Sequence, residues 1–75
     1  MNKDRRKRVT KAVEHLRNAS SILESVCDEE SQALENRPES FSETDEYIES
    51  EEAVDTMSDA VNDLEQIVEN LGNIC

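Results

Sequence analysis

The stretch EEAVDTMSDAVNDLEQIVENL, from Glu51 to Leu71, repeats its apolar residues every seven positions. Val54, Val61 and Val68 form one column, Met57, Leu64 and Leu71 a second, and Ala53, Ala60 and Ile67 a third beside them. This spacing lays one broad apolar stripe along an α-helix. The rest of the helix surface is acidic or small polar, so something must cover the stripe while the acids face water or a basic partner.

A second helical pattern precedes it. Between Asp4 and Glu35, Val9, Leu16 and Leu23 form one column, Ala12, Ala19, Val26 and Ala33 another, and Val13, Ser20, Cys27 and Leu34 a third, with no Gly or Pro among them. A helix over residues 4–35 spans about 48 Å at 1.5 Å per residue, too long for a compact core, and so needs another long helix beside it. Asn36-Arg37-Pro38-Glu39-Ser40-Phe41-Ser42 interrupts the pattern. Asn36 tolerates the left-handed conformation that ends helices, and Pro38 disfavours helical geometry at Arg37. Ser40 and Ser42 each offer an N-cap with an acid three residues on. Ser42 is the better choice, because Glu43 and Asp45 then fall in the first turn, with Phe41 before the cap as a staple. Tyr47 heads the Val54 column, so the second helix is expected over about 43–71, with Gly72 and Asn73 as its stop.

Two helices of matched length joined by a turn over 36–42 form an antiparallel hairpin, one all-α domain over residues 1–75. Residues whose numbers sum to roughly 80 should then lie side by side. Cys27 and Cys75 are far apart in that arrangement, so no internal disulfide is expected; Cys27 is a small core residue and Cys75 a terminal thiol. A helix pair buries about two columns from each partner, and each helix here carries three. The uncovered third columns predict a homodimer with the form of a four-helix bundle, or a partner that covers the strip.

Net charge is −11 and unevenly spread. The first 17 residues hold seven bases (Lys3, Arg5, Arg6, Lys7, Arg8, Lys11, Arg17) and two acids; beyond them Arg37 stands alone against seventeen acids. The basic start reads either as an intramolecular match for Asp63, Glu65 and Glu69 at the end of the second helix, or as a patch for phosphates. No apolar run exceeds two residues. Neither a secretory signal nor a membrane span is expected, and the chain reads as cytoplasmic.

Enzyme chemistry has no foothold in the pattern. The single histidine, His15, lacks a nucleophile or orienting carboxylate at helical spacing, and one glycine cannot build a phosphate loop. Carboxylates are dense at Asp28-Glu29-Glu30 and Glu49-Ser50-Glu51-Glu52, yet no EF-hand loop or Glu-x-x-His pair accompanies them. No cofactor and no dedicated metal site is expected.

The acidic pole is what remains. Twelve acids lie between Asp28 and Asp55 against Arg37 alone, more self-repulsion than solubility requires. Either this is a solvated face, or it docks on a basic groove that nucleic-acid proteins use for phosphates, excluding the nucleic acid by competition. For the second reading the partner-binding residues are Glu39, Glu43, Asp45, Glu46, Glu49 and Glu52. Direct contact of this pole with DNA or RNA is disfavoured by sign. Two other readings are an assembly bundle that binds through its apolar strip, and a nucleotide sponge using the basic N-terminus.

The segments MNKDRRKR, DEESQALENRPES and SEEAVDTMSDAVNDLEQIVENL together resemble short acidic helical hairpins encoded by bacteriophages of Gram-positive bacteria. Small acidic phage proteins include inhibitors of host defence nucleases, anti-CRISPR proteins among them. The resemblance implies an inhibitor that mimics nucleic acid on a protein such as a CRISPR nuclease. It assigns no site residue.

Overall fold

The computed structural model describes residues 1–36 and 44–74. They form two helices and no strand: α1 over Lys3–Glu35 and α2 over Asp45–Gly72, packed against each other as an antiparallel hairpin. The result is a rod of 59 × 14 × 14 Å, one helix pair thick.

Local chemistry sets the helix ends. At the start of α1 the Asn2 side chain accepts from Arg5 N at 2.9 Å, and Asp4 places a negative charge in the first turn. α2 begins later than the sequence suggests. Its N-cap is Thr44, whose Oγ1 accepts from Tyr47 N at 3.2 Å, with Asp45 and Glu46 in the first turn. The expected cap at Ser42, its rival Ser40, the Phe41 staple and the Pro38 break lie outside the described residues, as does Cys75.

Both C-termini differ from expectation. Asn36 is right-handed, at φ −86° and ψ −4°, with its N–H donating to Gln32 O at 3.1 Å. Gly72 is the last residue of α2, and no described residue has a positive φ. That helix tapers through a tighter turn, in which Asn73 N donates to Asn70 O and Ile74 N to Leu71 O.

The seam follows the seven-residue columns. From α1 it takes Val9, Val13, Leu16, Ser20, Leu23, Cys27, Glu30 and Leu34; from α2, Tyr47, Ser50, Val54, Met57, Val61, Leu64, Val68 and Leu71. All sixteen are at least half-buried, and the steps of three and four between them keep one stripe facing the neighbouring helix. Only Val13 and Val61, each 7% exposed, are buried, and among the described residues no large side chain is fully enclosed. Cys27 Sγ, a free thiol, reaches Val54 O at 3.7 Å across the seam. Residues whose numbers sum to about 81 are therefore level, given equal rise in both helices.

The helices are not of matched length: α1 has 33 residues and α2 has 28. Gly72 shares a cavity with Thr10 and Val13, so α2 stops there and Lys3–Arg8 overhang it. The third columns stay uncovered as the narrow seam requires, with Ala12, Ala19, Val26, Ala33, Ala53 and Ile67 all exposed and Ala60 half-buried.

The Thr44 cap gives a direct check on where α2 begins. Thr44→Ala is expected to cost about 1 kcal/mol of stability, whereas Thr44→Ser should remain close to the parent. Thermal melts followed by circular dichroism at fixed concentration measure both.

Candidate functional site

The hairpin has two broad faces of different chemistry. On one, Val26, Ala53 and Met57 line a shallow groove with Glu30, Ser50, Glu46 and Glu49. Ala19 and Ala12 precede Val26 at steps of seven, and Ala60 and Ile67 follow Ala53 in the same way, so both third columns lie on this face. Between them Ile22 is 64% exposed, Ile67 44% and Val26 42%. On the other face the depressions are lined by Arg17, Ser20, Ser21, Glu24 and Glu65, and by Asp28, Ser58 and Asn62. That face suits water as it stands.

Each end of the apolar face carries a different charge. Near the free end of α1, Arg5 and Arg8 border a depression with Val9 and Ala12. Near the connection, Glu30, Glu46 and Glu49 border the groove that contains Ala53. The strip thus runs from two arginines to three carboxylates.

The six predicted partner-binding acids separate in space. Glu39 and Glu43 lie outside the described residues; Asp45, Glu46, Glu49 and Glu52 are all exposed on α2. Glu46 and Glu49 flank the apolar groove, while Asp45 and Glu52, seven apart, share a column that a helical step of 100° per residue turns away from α1. Glu30 completes the trio at the groove but was not among the six. Its signal was present: it stands seven residues after Leu23, in the Val9 column, where a seam residue is due.

Charge pairing across the hairpin is sparse. Among the described residues the single ion pair is Arg8 with Asp4, at 3.0 Å within α1, both side chains more than two-thirds exposed. The overhang carries Lys3–Arg8 past the end of α2 and away from Asp63, Glu65 and Glu69. Of the basic residues, Arg17 does share a groove with Glu65. No ion pair joins the two helices among the described residues, so the cluster at the start of α1 does not form the expected intramolecular match. Neither helix has a basic residue in its last turn, so each helix dipole ends uncompensated.

Among the described residues no group of three His, Cys, Asp or Glu is arranged to hold a metal ion, and no helix is long and apolar enough to cross a membrane. His15 lies on α1 as an exposed residue. Comparison with protein families, curated proteins and solved structures returns no match for this chain.

With seventeen acids and one short-range ion pair among the described residues, repulsion dominates the electrostatics of the folded rod. Raising NaCl from about 0.05 to about 0.5 M should therefore raise the melting temperature, because screening relieves like-charge repulsion. Glu30→Gln, which removes a half-buried charge from the trio, should raise it further at low salt than at high salt. A melting temperature that falls with salt would contradict this balance.

Proposed function

We propose that this chain is a non-enzymatic binding protein of phage type. Two copies join through the apolar face as a four-helix bundle, and the outward acids near the connection occupy a basic nucleic-acid groove on a host defence protein such as a CRISPR nuclease. The observation that carries the binding role is the state of the outward acids: Asp45 and Glu52 are both exposed on the column turned away from α1, and neither is in an ion pair with a described residue. Carboxylates repeating along a helix offer a basic groove the charge pattern it is built to hold, and binding there displaces the nucleic acid.

Self-association is supported by how little the single hairpin buries. Fully burying a valine contributes about 1.5 kcal/mol or more, and two valines are a thin core among the described residues. The exposed strip of Ile22, Val26 and Ile67 supplies the missing apolar area once a second hairpin covers it. The same exposure favours a second reading, an assembly role in which the strip itself takes the partner.

Two measurements separate these readings. In a cleavage assay with a purified CRISPR nuclease and its target duplex, the wild-type chain should inhibit. The triple variant Glu39→Lys, Asp45→Lys, Glu52→Lys should lose inhibition by at least about tenfold, and added salt should weaken the wild type steeply. Equal inhibition by the triple variant, or none by the wild type, rejects the acidic-pole reading. For the bundle, light scattering behind size exclusion should give about twice the 8.5 kDa chain mass, and Ile22→Glu should give the monomer mass with a broadened melt. A monomeric wild type with a sharp cooperative melt removes the bundle.

A further inference from the structure

We infer that the second copy covering the apolar face lies head to tail, so that the end of that face bearing Arg5 and Arg8 in each chain meets the end bearing Glu30, Glu46 and Glu49 in the other; the dimer proposed above is the premise. The inference comes from where charge sits on one face. Arg5 and Arg8 border that face at the free end, beside Val9 and Ala12. Glu30, Glu46 and Glu49 border it at the connected end, beside Val26 and Ala53.

The spacing makes the two ends interchangeable. By the level relation that Cys27 and Val54 establish, Glu46 and Glu49 stand beside residues 32–35 of α1. Halfway between that height and Arg5 and Arg8 lie Ala19 and Ile22 on α1 and Ala60 on α2, about 20 Å from either charged end at 1.5 Å per residue. A two-fold axis through this midpoint, perpendicular to the rod, exchanges the ends. It brings each arginine pair to a carboxylate cluster and seats the apolar columns on each other. Alanines at the axis let the helix backbones approach, and Ile22 fills the space beside them.

The parallel alternative covers the same apolar area with the opposite electrostatics. It sets four arginines together at one end and six carboxylates at the other. Like charges juxtaposed across an interface oppose association, so the direction of pairing is decided by charge although the apolar strip supplies the attraction. Back-to-back association through the other face would bring Glu24, Asp28 and Glu65 of both copies together.

Sedimentation equilibrium of four chains tests the orientation. Arg5→Glu with Arg8→Glu, and separately Glu46→Lys with Glu49→Lys, should each raise the dimer Kd at least about tenfold, since two charges are reversed at both ends. The quadruple variant, which exchanges both signs, should return to within about threefold of wild type. If a reversal reduces helicity, Arg5→Gln with Arg8→Gln and Glu46→Gln with Glu49→Gln should shift Kd in the same direction by less. A wild-type dimer unaffected by either reversal, or a quadruple variant as weak as its parents, overturns the head-to-tail orientation and leaves the dimer standing. A monomeric wild type overturns both. A spin label at Lys3→Cys, in a chain with Cys27 and Cys75 replaced by alanine, reads the orientation independently. Labels about 50 Å apart support head-to-tail pairing, and labels within about 20 Å overturn it.

Discussion

The contact on which everything else depends is the seam between α1 and α2, a single layer of Val and Leu side chains along a rod 14 Å across. In so thin a molecule no third element shields the helices, so a residue is either on the seam or in contact with water. That geometry explains why apolar columns at seven-residue spacing divide sharply: two per helix are covered and the third is open. It also explains why ordinary surface chemistry has consequences here. With only Val13 and Val61 buried, small energies at caps, ends and charged clusters are a large fraction of what holds the hairpin together.

Electrostatics works against that seam more than for it. The acids gather toward the connection, where Glu30 takes a half-buried seam position and faces the same groove as Glu46 and Glu49. The bases gather on an overhang of α1 that has no α2 beside it. Among the described residues the acidic end has no ion pair and the basic end only Arg8 with Asp4, which leaves each end an excess of its own sign and raises the demand for a complement from outside the chain.

The sequence discloses the helices because their signal is periodic. Val54, Val61 and Val68 can share one face only in a helix, and the same holds for Val9, Leu16 and Leu23. Ends are set by single residues, and there the reading is less sharp. Thr44 and Ser42 both offer a hydroxyl ahead of acids, and the choice between them turns on where the chain leaves the connection, which no period records. Asn36 and Gly72 are permitted a left-handed conformation and do not use it. The match between the basic start and Asp63, Glu65 and Glu69 fails on register: with residues level at a sum of about 81, those acids stand beside residues 12–18 of α1, and the bases from Lys3 to Arg8 lie past the end of α2. Of the candidate site, the acids of α2 were visible as a composition. Their division into a pair at the groove and a pair facing outward needed the helix phase relative to α1.

The two buried valines have a further consequence through their position. Val13 lies toward the free end of the hairpin and Val61 is level with about residue 20, the middle of the rod, so among the described residues neither buried side chain lies in the connected half. Toward the connection the seam passes through Glu30 and Ser50, which hold the helices less firmly. Asp45, Glu46, Glu49 and Glu52 therefore stand on the half of the rod where the described seam holds no buried side chain.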